Sequence, residues 1–291
     1  MKRKRFSFSR VQAIAGNTLT ELVRLKVFYF LLLFALVIIG SSLFMIQFTF
    51  QQEFQVLKDA SLGAMTIFTS LLAILATANL LPKDIEDRTL YSILAKPVPR
   101  FEYLLGKLAG VFLLLLISVV CMSVVFVAVL WLRQSTVLAS VAREFAASPE
   151  DLAIKIREVK AAGLTPTLFQ GVALIYIKAC LLGALTLLIS TFATSAIFTT
   201  IVSVVVYFIG HLQSTARDYW LAGGDASWVT RVFTALLALI FPDLQLFNLV
   251  DDIVAGNAVE TLLFLKTMGI GLLYVIFYTL AAQFIFVKKE L

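Results

Sequence analysis

The residues able to do chemistry in this chain are few and widely spaced. The single histidine, His211, stands near the end of a long apolar run. One imidazole makes no metal cluster and no HExxH occurs, so His211 reads as a packed or interfacial residue. Asp251 and Asp252 are adjacent carboxylates, a pairing suited to acid–base work or to a solvated acidic surface. The two cysteines, Cys121 and Cys180, both lie in apolar runs. They offer neither a disulfide framework nor a thiolate metal site, and read as small apolar residues of helices. Gly106-Lys107 is followed by Leu108 and lacks the earlier glycine of a phosphate-binding loop. The expectation is a chain that is not an enzyme. Any ATP-driven work it does draws its energy from another subunit.

What must position these residues is a membrane. The 291 residues are 60% hydrophobic and 14% charged, with a mean hydropathy of +0.96. Soluble domains run near 45–50% apolar and about 25% charged. The expected class is an all-α polytopic membrane protein, one transmembrane domain over 1–291. The net charge of +6 then reflects basic residues held on one side of the bilayer rather than a nucleic-acid surface.

A spanning helix needs about 20 apolar residues. Residues 27–52 carry no charge and form span one; 60–82 form span two, with Pro82 ending it; 108–132 form span three. The uncharged run 179–216 is too long for one helix. It divides at 191–195, where Thr-Phe-Ala-Thr-Ser interrupts the large aliphatics, into span four (170–192) and span five (196–213). Lys178 falls inside span four and is expected to snorkel outward, unless that span begins later. Span six is 262–287. The remaining apolar stretch, 232–250, is broken by Pro242 and Asp243, and is read as a re-entrant or interfacial helix pair.

Orientation follows the basic residues. Seven precede span one, five lie in 82–107, and Lys288 and Lys289 follow span six. Six spans place all three groups on one side, taken as cytoplasmic. The loops 133–168 and 214–261 then face outward. Trp131, Trp220 and Trp228 fall at outer ends or loops, where amphipathic rings prefer to sit. Within the 1–26 start, Val11, Ile14, Ala15, Leu19, Leu22 and Val23 recur at helical spacing, as in an amphipathic helix on the inner surface. The run Ser148-Pro149-Glu150-Asp151 opens a helix that Gly163 can close.

Between spans two and three lies a dense charged island. Its 27 residues, 81–107, carry nine charges. Charges are expensive at the bilayer centre, so the island belongs outside the lipid, facing water or a partner. Asp84, Glu86 and Asp87 lead into Arg88-Thr89-Leu90, then Ile93-Leu94-Ala95-Lys96-Pro97-Val98, Arg100, Tyr103 and Leu105-Gly106-Lys107. Mixed charge offers specificity, while Leu90, Ile93 and Leu94 can bury in a partner's groove. A solvated inter-helix loop with a capping role fits the same residues.

This order resembles the first intracellular loop of the ABC transporter type 2 permease family. The basic start, six spans, broken apolar segment and Lys288-Lys289 tail are similar too. Pro99 departs from the small polar residue common there. The resemblance implies an exporter's permease subunit in the cytoplasmic membrane of a bacterium, with both termini cytoplasmic. Two permease chains would pair, and separate ABC ATPase subunits holding ATP-Mg would dock beneath. The coupling helix would be 84–94, with Glu86, Asp87 and Arg88 as partner contacts beside Asp84, Leu90, Ile93 and Leu94. No cofactor would bind the chain itself.

A second set of residues points to a path or a dimer seam. Ser195, Thr199, Ser203, Tyr207 and His211 recur every four residues along span five, and Thr66, Thr69, Ser70 and Thr77 form a similar row on span two. Small hydroxyl residues let helices approach closely and bond across a lipid-free interface. Packing within one chain and a polar seam between two permease chains both fit; crosslinking to a second chain is the expectation under the latter. The sparse charge in the spans favours an amphipathic or lipid-linked cargo over a small ion. Two other functions remain compatible: a membrane module that uses ATPase strokes to move or assemble proteins, and an integral-membrane lipid-modifying enzyme.

The orientation is testable with single cysteines at Ser7, Ser148, Ser227 and Glu290. An impermeant thiol reagent applied to intact cells should label only Ser148→Cys and Ser227→Cys. Labelling at Glu290→Cys would overturn the six-span arrangement.

Overall fold

Runs of Leu, Val, Ile, Phe and Ala without proline make helices here, and the breaks fall where polar or turn-forming residues collect. The computed structural model describes residues 6–41, 50–86, 99–145, 149–193, 195–222, 228–229, 232, 241–248, 250–254 and 260–288. Among these the regular elements are helical: α1 (Phe8–Val23), α2 (Lys26–Ser41), α3 (Phe50–Ala78), α4 (Leu80–Glu86), α5 (Arg100–Glu144), α6 (Pro149–Ala162), α7 (Thr167–Phe192), α8 (Ala196–Ala222), a 3-10 turn (Leu244–Phe247), α9 (Val250–Val254) and α10 (Thr261–Lys288). Five helical stretches are long and apolar enough to cross a membrane. The pair α1 and α2, bent by 69° at Arg24 and Leu25, makes a sixth if taken as one span. The protein is a multi-pass, all-helical membrane protein.

α7 is the axis. It is apolar on every side, and such a helix is stable only when covered all round. α3, α5, α8 and α10 all pack on it. Leu181, Leu182, Ala184 and Leu187 are fully enclosed. Two apolar clusters fill the body. The larger joins Leu22 of α1, Leu81 of α4, Tyr103 and Leu104 of α5, Leu181 of α7 and Tyr278 of α10. The smaller sits at the opposite end, where Phe54 and Leu57 meet Val137, Val141, Val159, Leu168 and Ile253.

Several expected boundaries move. α5 runs for 45 residues, about 68 Å at 1.5 Å per residue, more than twice a hydrocarbon core. Its last turns, expected as part of a loop over 133–168, continue as helix because Val137 and Val141 find a partner in Val159 of α6. Residues 50–52, expected to end span one, open α3 instead. Pro82 does not end span two. The break comes at Asn79, and Pro82 lies buried in the first turn of α4, where a missing N–H costs nothing. The division at 191–195 stands, with α7 closing at Phe192 and α8 opening at Ala196. Gly163 follows α6 as expected but without a left-handed backbone. Its lack of a Cβ makes room for the Gln134 amide, which would lie 2.5 Å from one, and Gln134 Oε1 accepts from the Leu164 N–H at 3.2 Å.

The amphipathic start is a helix, but its apolar stripe faces protein rather than lipid. Val11, Ala15, Thr18 and Leu22 are buried against the first turns of α5. Gly106 and Gly110, four apart on one face of α5, permit the approach. A Cβ on Gly110 would stand 2.6 Å from Thr18 Cβ and 2.9 Å from the Ala15 carbonyl oxygen; one on Gly106 would meet Ile14 at 2.6 Å.

Gly110→Val should therefore lever α1 off α5 and destabilise this end by about 1–3 kcal/mol. Limited trypsin digestion at the exposed Arg24 reads the outcome. Cleavage no faster than in the parent protein would show that the close approach does not hold α1.

Candidate functional site

The island residues that the structure describes sit at one end of the bundle, where α1, α4, the start of α5 and the end of α10 converge. α4 turns Leu80, Leu81 and Asp84 inward and leaves Lys83 and Glu86 at the surface. Asp84 was expected to reach a partner protein. It is buried instead, and its Oδ2 takes the Lys107 ammonium at 2.7 Å. The Tyr103 hydroxyl donates to the same oxygen. Lys107, expected in water with the rest of the island, is itself buried and lies 3.6 Å from Glu21 of α1; Lys83 completes the series at 2.7 Å from Glu21. The four charges Lys83, Glu21, Lys107 and Asp84 alternate in sign and sum to zero.

A second pair locks the start of α1. Arg10 clamps Glu102 of α5 with two bonds, Nε to Oε2 at 2.5 Å and Nη2 to Oε1 at 2.8 Å. Glu102 also accepts from the Ser7 N–H at 2.9 Å. α1 has no acid in its own first turn, so a carboxylate from the neighbouring helix meets its positive end. At the other pole, Arg100 donates to the carbonyls of Phe286 and Val287, the unpaired end of α10. The Tyr103 ring stacks on Phe286 at 6.1 Å between centroids.

These contacts set protonation. The bond from Arg10 holds the Glu102 carboxyl, which precedes the spanning part of α5, below its ordinary value. For Glu21, burial acts upward, but Lys83 and Lys107 outweigh it and the net shift is downward. Burial, with Asp84 beside it, raises the Tyr103 phenol, which stays a hydrogen-bond donor.

The other expected contacts are placed differently. Glu86 is exposed beside this braced end. Asp87, Arg88, Leu90, Ile93 and Leu94 lie outside the described residues, as does most of the expected 84–94 helix. Glu21, Glu102, Tyr103 and Lys107 were not foreseen as a network. The spacing Gly106-x-x-x-Gly110, with Glu21 on the polar side of α1, was the available signal.

The hydroxyl rows lie inside the chain. Thr199 and Ser203 of α8 and Ser70 and Thr77 of α3 are buried, while Thr66, Ser195 and Tyr207 are half-buried. Tyr207 interacts with the Ser70 hydroxyl across α3 and α8. Thr199 and Thr66 donate back to their own helices, to Ser195 O at 3.0 Å and Leu62 O at 2.8 Å. Thr77 faces Gly183 of α7, where a Cβ would lie 3.6 Å from its hydroxyl. This is internal packing, and crosslinks from Thr199 or Ser203 to a second chain no longer follow. The surface α8 turns outward is instead Ile197, Ile201, Val205, Phe208 and Leu212.

Lys178 does not snorkel. It is buried in α7 with its Nζ 3.0 Å from His211 Nε2 of α8. Beside it the broken segment enters the body: Leu244 and Phe247 are buried, and Gly210 and Gly271 leave them room. Asp252 is exposed on α9. Both cysteines are free thiols. Among the described residues no group of three or more His, Cys, Asp or Glu could hold a metal ion. In comparison with known proteins, no family model matches the chain and no curated protein matches it.

Asp84→Asn would strand the buried Lys107 ammonium, and removing one member of such a pair costs about 3–5 kcal/mol. A large drop in melting temperature is expected, with less for Asp84→Asn/Lys107→Met together. Because Glu21 and Glu102 are held below the ordinary 4.5, their stabilisation is complete above that value and lost as pH falls through their lower folded values. The parent protein should lose the α1 contact first on acidification. Equal melting of parent and Asp84→Asn would remove the pair from this role.

Proposed function

We propose that the chain is the membrane-embedded permease subunit of an ABC exporter, working as one of two permease chains and driven by separate ATPase subunits that hold ATP-Mg. One observation carries the reading: the residue order of the island, Asp84 to Lys107, placed between the second and third apolar stretches. The geometry is compatible with that use. A docking element transmits a stroke only if it is braced, and α4 is tied through Asp84 and Lys107 to α5 and through Lys83 to α1. The exposed Glu86 stands at its end, next to the residues that would complete the contact.

In this reading both termini and the charged end lie on the cytoplasmic side of the membrane. Buried Asp84 serves as the brace, and contact with the ATPase falls to Glu86, Asp87 and Arg88, with Leu90, Ile93 and Leu94 as the apolar strip. The dimer contact does not fall to the hydroxyl row of α8, whose Thr199 and Ser203 are buried within this chain.

Reversing Glu86→Lys with Asp87→Lys places like charges where complementarity is needed. The double variant should keep its fold, lose co-purification with the ATPase and abolish coupled ATP hydrolysis. Retention of the ATPase with unchanged activity would remove the island from the docking role.

A further inference from the structure

Lys178 is an ammonium sealed inside a helix bundle, where a charge is tolerated only with compensation. Its partner does not compensate it. His211 Nδ1 lies 2.9 Å from the Tyr207 carbonyl, which can only accept. Nδ1 therefore carries the ring proton, and Nε2 offers a lone pair to the lysine. The lysine thus meets a neutral acceptor. Among the described residues it forms no ion pair. The nearby acid, Asp243, acts on His211 and Tyr274, and its Oδ1 accepts from the Gln245 N–H at 3.1 Å.

An apolar groove of about 360 Å³ lies between α3 and α8, and Tyr207 of its lining packs on His211. Ile67, Leu71 and Ile74 of α3 form one wall and Val204 and Phe208 of α8 the other; Ser70 and Tyr207 are its polar members. The exposure of Ile67 and Phe208 shows that it opens on the lateral surface of the bundle. The Tyr207 ring lines the groove and lies 4.3 Å between centroids from the ring of His211, which does not line it. His211 lies about 22 Å along α8 from its start, near the far end of the stretch 196–214 that can cross a membrane, and the groove lies one to two turns deeper. An apolar groove with hydroxyls in its lining, backed across the Tyr207 ring by an imidazole and by an ammonium that forms no ion pair among the described residues, has the chemistry of a molecule with an anionic head and an apolar tail.

We propose that Lys178, His211 and Tyr207, with the groove between α3 and α8, form a binding site for an anionic amphiphile. Its phosphate or carboxylate head reaches Lys178 and His211 when the Tyr207 ring swings aside, and its chain lies between Ile67, Ile74, Val204 and Phe208. The head supplies a negative charge to Lys178, which forms no ion pair among the described residues. The inference rests on the permease reading for calling this ligand a cargo, but the site stands on the geometry alone.

The test is equilibrium binding of radiolabelled dodecyl phosphate to the purified full chain in phosphatidylcholine nanodiscs, without any ATPase. Saturable binding is expected, with unlabelled laurate competing and inorganic phosphate and dodecyltrimethylammonium failing to compete. Lys178→Met should weaken binding about tenfold or more, whereas Lys178→Arg, which keeps the charge, should stay within about threefold. Val204→Trp fills the groove without touching the cation and should weaken binding similarly, which keeps the test decisive if Lys178→Met does not fold. Binding unchanged in Val204→Trp and in a folded Lys178→Met overturns the site. Competition by inorganic phosphate equal to that of laurate shows a free-anion site and overturns the amphiphile. Failure of the parent chain to co-purify with any ATPase, together with intact dodecyl phosphate binding, overturns the permease reading and leaves the site standing.

Discussion

Asp84 and Lys107 meet at 2.7 Å in a place that neither could occupy alone. Each is buried at the end of an apolar bundle, and an unpaired charge there is a large penalty. Their pairing ties the end of α4 to the start of α5. That places Lys83 and Lys107 on either side of Glu21, which draws in α1. Tyr103, held by the same carboxylate, carries the contact to Phe286 at the end of α10. Four segments far apart in the chain are joined through one neutral cluster.

The close approach of α1 to α5 is the apolar counterpart of that cluster. Gly106 and Gly110 leave a flat strip into which Ile14 and Thr18 fit, and Arg10 with Glu102 fixes the register at the far end. α1 is therefore part of the protein body, and the 69° bend at Arg24 and Leu25 carries the chain from it into α2. Movement of this end has to involve α1, α4 and α5 together.

The interior of the bundle obeys the same rule with a different outcome. α7 is covered on all sides, and the helices around it bring their hydroxyl rows inward. Thr66, Thr69 and Thr199 bond back to their own helices, the cheapest way to satisfy a polar group away from water. Lys178 has no such local solution. It reaches His211 on the next helix, beside the point where Pro242 to Phe247 enter the body.

Much of this was legible in composition and periodicity. Runs without charge marked the membrane-crossing helices, and the Thr-Phe-Ala-Thr-Ser interruption located the turn between α7 and α8 within a residue or two. These are local properties: a helix in lipid satisfies its own backbone, so its sequence alone announces it. The absence of a phosphate loop was equally local. What pairs with what was not local. Asp84 and Lys107 looked like surface charges because each, read singly, prefers water; only the fold brings them within bonding distance. The stripe on α1 looked like a lipid-facing surface because an apolar face does not say whether lipid or protein covers it, and Gly106 and Gly110 decided for protein. Lys178 looked able to reach the surface until α8 enclosed it. The sequence determined which segments become helices, because that depends on neighbours three and four residues away. The tertiary structure decided which charges are neutralised and which face is covered, because those depend on residues some twenty to ninety positions away along the chain.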